Sequence, residues 1–155
     1  MTSSARLTLR LLEDTDYRNA KSLMMERFWH TDVENFVSLW RYRNYYASIC
    51  VEQYGTIVAF GVVWENKLEY LVVNQHFEGC GMGKVLVKCI VDELQQQEYK
   101  TVMLLTANNP ALRSFYSRLG FELSSSSCDR QGIAGDIMVL RFREKRRAKV
   151  PARFV

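Results

Sequence analysis

The spacing of apolar positions changes several times along this 155-residue chain, and each change marks an element. Leu7 to Leu12 alternates loosely, as a first strand does. Glu13-Asp14-Thr15-Asp16 ahead of Tyr17 supplies capping groups and negative charge for a helix over 15–27. Asp32 to Arg43 carries Val33, Phe36, Val37, Leu39 and Trp40 and predicts a second helix with its aromatic side inward. Tyr46 to Val51 and Thr56 to Trp64 read as strands around a hairpin turn at Gln53-Tyr54-Gly55. Leu68 to Val73 is a nearly continuous apolar run broken by one acid, Glu69, the pattern of a strand buried on both faces, and Thr101 to Thr106 is a second such run. Between them Val85, Leu86, Cys89, Ile90 and Leu94 form one face of an amphipathic helix. The last strand, Asp136 to Phe142, should return antiparallel to one beginning near Phe121, with Ser124 to Ser127 at a strand end.

Strand, turn, helix and strand over 68–106 make a β-α-β unit, whose connection should be right-handed with the two strands roughly parallel. Its turn, Phe77-Glu78-Gly79-Cys80-Gly81-Met82-Gly83-Lys84, alternates glycine with other residues. Glycine lets the backbone turn tightly and approach a ligand, so successive N–H groups at the positive end of the helix can cradle phosphate oxygens. A dinucleotide fingerprint does not fit, because the glycines fall at 79, 81 and 83 and no acid ends the second strand, which runs into Thr106-Ala107-Asn108-Asn109. A Walker loop fails as well: Lys84 lacks the four-residue spacer and is followed by Val85.

Leu71 to Gly83 resembles the strand and (Arg/Gln)-x-x-Gly-x-(Gly/Ala) loop of the GNAT superfamily of N-acetyltransferases, with Gly81 and Gly83 at the glycine positions. Asn109 to Phe121 is similar to that family's second signature, in which Asn is followed seven residues later by Tyr and then by Gly-Phe, here Tyr116 and Gly120-Phe121. The resemblance implies an α/β fold: a mixed sheet of about six to seven strands, flanked by about four helices and splayed between two central parallel strands. It also implies acetyl-CoA as cosubstrate and no metal. Backbone groups of Leu71, Val72 and Val73 would bond pantetheine. Glu78, Gly79, Cys80, Gly81, Met82, Gly83 and Lys84 would hold the diphosphate, and Asn109 would bond pantetheine or cap its own helix before Pro110. Glu78 departs from the pattern, since the family places Arg or Gln there, and a carboxylate would repel a diphosphate by roughly a kcal/mol at a partly exposed site.

Acyl transfer to an amine needs a neutral amine, a held and polarised carbonyl, and a protonated leaving thiol. By resemblance Tyr116 is the general acid, worth ~10²-fold against a leaving thiol of ordinary pKa ~8.5. Glu69 is the candidate base, because a lone acid in an apolar strand is costly to bury without a purpose. Amino-sugar-phosphate acetyltransferases carry an acid at the matching place, but the Asp that follows it there is Tyr70 here. The stretch 121–142 resembles in length the last hairpin of ribosomal-protein and peptide N-terminal acetyltransferases, with serines replacing their tyrosines. The expected acceptor is therefore a protein or peptide amine, with a small amine or amino sugar next, and a non-catalytic acyl-CoA-binding or partner-binding module as the different class. Phe28, Trp29, His30, Trp40, Tyr42, Tyr45 and Tyr46 are candidates for an acceptor pocket, and His76 for a polar contact near the cofactor.

Size and composition suit one domain over 1–142. No apolar run reaches the roughly 20 residues of a membrane span, and the N-terminus does not read as a signal peptide, so the expected location is the cytoplasm or nucleus. Cys50, Cys80, Cys89 and Cys128 are scattered without metal-ligand spacing, as reduced thiols are. Residues 141–155 hold seven basic side chains against one acid, which leaves 14 basic and 16 acidic residues for 1–140. A basic tail over 143–155 is expected, either a solubilising end or a contact for nucleic acid or ribosome. The chain is expected to be a monomer or homodimer.

Overall fold

The computed structural model describes residues 6–28, 30–128 and 134–143. The basic tail lies outside the described residues from position 144 onward, as does Trp29. The described strands are β1 (Leu7–Leu11), β2 (Ile49–Gln53), β3 (Thr56–Trp64), β4 (Lys67–Val73), β5 (Thr101–Ala107), β6 (Glu122–Cys128) and β7 (Ala134–Arg141). The α-helices are α1 (Tyr17–Arg27), α2 (His30–Leu39), α3 (Met82–Gln96) and α4 (Pro110–Arg118). The strands form one sheet in the order β1-β2-β3-β4-β5-β7-β6, with all pairs antiparallel except β4 and β5.

Local chemistry explains the turns. Tyr54 and Gly55 both take positive φ, 53° and 77°, between the paired residues Gln53 and Thr56, which is the mirror-image two-residue turn that matches strand twist. Glu13 and Asp16 form a capping box ahead of α1. Helix α2 begins at His30, two residues earlier than the periodicity predicts, and passes into a 3-10 turn at Trp40–Tyr42.

Two cores lie on opposite faces of the sheet. On one face, Met82, Leu86, Val87, Ile90 and Leu94 of α3 pack with Val58, Val63, Leu68, Val102, Leu104 and Tyr116. Val87 takes the buried place expected for Val85, which is 49% exposed, because the stripe follows 82, 86, 90 and 94 at helical spacing. Gly61 makes this packing close: a Cβ there would lie 2.6 Å from Ile90 Cδ1. On the other face, Phe36 and Trp40 from the second helical segment meet Leu23, Met24, Phe60 and Val72. Phe36 is fully buried and lies 5.4–6.3 Å from the rings of Tyr17, Trp40, Phe60 and Tyr70.

Of the two central parallel strands, β4 packs into both cores, as its composition suggests, whereas β5 is buried on one face alone. In β4 only Leu68 and Val72 are buried, and in β5 only Val102 and Leu104, whereas Met103 and Leu105 are 37% and 56% exposed. The α3 and α4 layer covers one face of β5, but the layer of α1 and α2 packs over β3 and β4 and leaves β5 open on its side.

Candidate active site

The site begins where β4 leaves β5. These strands pair only at Lys67 with Met103 and Leu68 with Leu104, although each is seven residues long. The separation coincides with a β-bulge: Val62 faces Tyr70 and Val63 faces Leu68, so Glu69 has no partner on β3. The extra residue also resets the alternation. Leu68 belongs to the α3 face, Tyr70 and Val72 to the α1 and α2 face, and Leu71 and Val73 again to the α3 face. Beyond Leu68 the β5-side edge of β4 has no strand partner, so Leu71, Val72 and Val73 border a cleft on that side, at the C-terminal ends of the parallel strands.

At that end β4 runs through a short 3-10 turn, Gln75–Phe77, into the glycine loop and α3. Gly79 and Gly81 have φ of 78° and 81°, and a Cβ at either would meet nothing within 4 Å, so the turn is a left-handed backbone facing open space. Gly81 is the N-cap of α3 and offers no side-chain cap. Among the described residues the N–H groups of Gly79 to Lys84 donate to no backbone acceptor outside the helix, while Val85 bonds the Gly81 carbonyl at 3.1 Å. A row of amides at a helix N-terminus with no partner fits a diphosphate. Gly83 differs in being packed, since a Cβ there would lie 3.4 Å from the Phe115 ring and 3.7 Å from Leu71. The Glu78 carboxylate turns to Arg27, in the last turn of α1, and forms an ion pair with it. Met82 is buried, and Cys80 and Lys84 are exposed.

Helix α4 supplies the third wall. Asn109 caps it, its Oδ1 accepting from the Ala111 N–H at 2.8 Å, and Pro110 follows at the first helical position. The Asn109 side chain therefore takes the cap role that its position before Pro110 predicts. The helix ends in a Schellman arrangement: Phe121 N–H bonds the Tyr116 carbonyl and Gly120 N–H bonds that of Ser117, both at 3.1 Å, with Gly120 at φ 98°. Phe121 then packs edge-on against the Tyr116 ring at 5.7 Å. The Tyr-x-x-x-Gly-Phe signature is thus a helix stop that fixes Tyr116.

Tyr116 is 8% exposed and contacts Phe115 and Phe121, and burial pushes its hydroxyl up to about 12. Among the described residues the Tyr116 hydroxyl makes no hydrogen bond, and the fully enclosed side-chain N or O atom without a partner is Nε of Arg43. Glu69 lies on the strand-edge side of the cleft, its side chain 21% exposed and 3.3 Å from Lys67 Nζ. Next to it the uncovered face of the sheet presents Met103 and Leu105, with Ile137 and Val139 on β7 paired to Leu105 and Met103.

Other expected pocket residues divide. Phe28 and His30 line a groove between α1 and α2 together with Met25, Val33, Glu34 and Val37. Trp40 and Tyr45 instead sandwich the buried Arg43 guanidinium at 4.2 and 4.1 Å, and Tyr42 and Tyr46 project into solvent at 66% and 72% exposure. His76 is exposed; its backbone N–H bonds Asn74 Oδ1 at 2.9 Å. Sequence reasoning missed Arg27, the bulge at Glu69, and a fully buried acid, Asp136, held by Arg113 and Ser126.

This arrangement of open parallel pair, glycine turn and capped tyrosine helix has known counterparts. The chain belongs to the GNAT acetyltransferases: the family described as acetyltransferase (GNAT) domain matches residues 13–142. It is 37% identical over 51 residues to an uncharacterized N-acetyltransferase, ycf52, of Pyropia yezoensis, a match spanning 33% of this chain and 28% of that protein's length. The ribosomal-protein-S18-alanine N-acetyltransferase from Escherichia coli superimposes with a TM-score of 0.72 at 22% identity, over 90% of this chain and 98% of that one. Arabidopsis thaliana Naa50, solved with the bisubstrate analogue CoA-Ac-MVNAL, superimposes at 0.68 with 15% identity, over 88% and 99%. At these identities the likeness concerns the fold, a seven-stranded mixed sheet with four α-helices among the described residues. No described helix is long and apolar enough to cross a membrane.

Proposed function

We infer that the chain is an N-acetyltransferase that moves an acetyl group from acetyl-CoA to the amine of a protein or peptide. The observation that carries this reading is the parting of β4 from β5 after Leu68, beside a glycine turn whose amides are free. An extended pantetheine arm finds unpaired backbone along Leu71 to Val73, and a diphosphate finds the amides of Gly79 to Lys84. Asn109, exposed at the mouth, has its Nδ2 available for the same arm while Oδ1 serves the cap.

In this reading the amine enters over the uncovered sheet face. Glu69 accepts its proton, directly or through water, as the nitrogen bonds the carbonyl carbon and the C–S bond breaks. Tyr116 donates a hydrogen bond, and finally a proton, to the departing sulfur. A phenol held at about 12 keeps its proton throughout neutral pH. Transfer to a thiolate of ordinary pKa ~8.5 is uphill, so the hydroxyl acts first as a hydrogen-bond donor, and transfer becomes easier once the sulfur shares the same low-dielectric wall.

The acceptor class rests on the open strip formed by Met103 and Leu105, with Ile137 half-buried beside Leu105, which suits an extended apolar chain better than a compact sugar phosphate. The neighbour holding a peptide-CoA conjugate supports the same choice. The test is thiol release from acetyl-CoA with a panel of peptide N-termini, glucosamine 6-phosphate and small polyamines. Turnover with peptides above the other amines is expected. Turnover confined to the small amines would overturn the acceptor assignment, and coenzyme A binding without turnover on any amine would make the chain a binding module.

A further inference from the structure

The glycine turn carries a carboxylate at the position where its signature calls for Arg or Gln, yet the fold brings a cation to the same spot. Arg27 stands 51 residues away in sequence, and its Nη2 bonds Glu78 Oε1. A guanidinium has five donors in a planar fork, and this contact uses one end of it. Among the described residues Nε and Nη1 of Arg27 make no hydrogen bond, and the two side chains are 32% and 52% exposed. The guanidinium therefore sits at the rim of the turn with donors to spare, next to the free amides of Gly79 to Lys84.

We propose that Arg27 is a diphosphate-binding residue of this chain, supplying from the end of α1 the positive charge that residue 78 lacks. The proposal rests on the acetyl-CoA reading above. Two facts of charge support it. Glu78 paired to Arg27 no longer stands as an isolated anion against the phosphates, and Lys84 is the exposed cation that the turn itself contributes. A planar fork suits bridging between a carboxylate on one side and phosphate oxygens on the other, which a lysine at this place would not do.

The experiment is calorimetric titration of the full chain with coenzyme A and with dephospho-coenzyme A, which keeps the diphosphate and lacks the ribose phosphate. The variants are Arg27→Ala and Glu78→Gln. Arg27→Ala should weaken both ligands by roughly tenfold or more, the worth of a charge-assisted contact to phosphate. Glu78→Gln should bind at least as tightly as the wild type, because it removes an anion and leaves the guanidinium in place. A mere structural tie between α1 and the turn would be broken equally by either variant, so equal weakening by both overturns the proposal. So does unchanged affinity in Arg27→Ala, or a loss seen with coenzyme A and absent with dephospho-coenzyme A. Wild-type protein that binds neither ligand would overturn the acetyl-CoA reading itself, and this inference with it.

Discussion

Arg113 on α4 closes Nε and Nη2 on one oxygen of Asp136, at 3.1 and 2.8 Å, while the other oxygen accepts from Ser126 at 2.8 Å. Asp136 is fully buried on β7, so this cluster pins the helix that carries Tyr116 to the last hairpin. The guanidinium, and then the serine hydroxyl, hold the Asp136 carboxyl below its ordinary range. The unfolded chain takes up that proton near pH ~4, the folded chain only at lower pH. Its stabilising contribution is therefore complete above pH ~4 and disappears as pH falls through the folded value. Asp136→Asn should lower Tm by several degrees at neutral pH, and the gap from wild type should shrink as thermal scans move to about pH 2. A gap that stays constant with pH would contradict this.

Tyr116 shifts stability at the opposite end of the scale. The unfolded phenol ionises near pH 10 and the folded one near about 12, so stability present in full below pH 10 is lost as pH rises toward 12. Cys50 and Tyr70, both pushed up to about 12 chiefly by burial, contribute with the same sign. Tyr116→Phe should flatten the alkaline fall of Tm, and by the proposed role it should lower kcat at least tenfold, up to about 10²-fold, with little change in KM for acetyl-CoA. A kcat equal to wild type would remove Tyr116 from the chemistry.

For Glu69 the expected variant is Glu69→Gln, which keeps the bulge and removes the proposed base. Turnover should drop at least tenfold at neutral pH and recover partly as pH rises and the amine deprotonates unaided. Equal loss at every pH would point to positioning and not to proton transfer.

The packing of α3 on β3 is testable without any ligand. Gly61→Ala places a methyl 2.6 Å from Ile90 Cδ1 inside the core, and overpacking of this kind costs about 1–3 kcal/mol. Adding Ile90→Val removes the clashing atom, so the double variant should unfold at higher denaturant than Gly61→Ala alone. Additive losses would show that the contact is not the cause.

Much of this fold was legible because its signals are local. The turn at Tyr54-Gly55, the glycines before α3 and the Gly120 stop after α4 each need a backbone conformation that few residues adopt, so they stand out in the sequence. Tyr116 was legible through the likeness of Asn109 to Phe121 to the family's second signature, and the helix stop that follows it fixes its place. Glu69 was visible as an acid in an apolar strand, but its bulge was not, because an unpartnered residue is defined by the register of β3. The pairing of Glu78 with Arg27 and that of Asp136 with Arg113 join distant segments, and no spacing rule connects them. Exposure of Met103 and Leu105 escaped notice because it depends on where the layer of α1 and α2 ends, not on the composition of β5.

The most direct measurement is an amide NMR titration of the ¹⁵N-labelled chain with coenzyme A. The account predicts saturable shifts concentrated on Gly79 to Lys84 and on Leu71 to Val73, with the helix stop at Gly120 and Phe121 following and β1 unchanged. Binding that leaves the glycine-turn amides where they were, or no saturable shift anywhere, would contradict it.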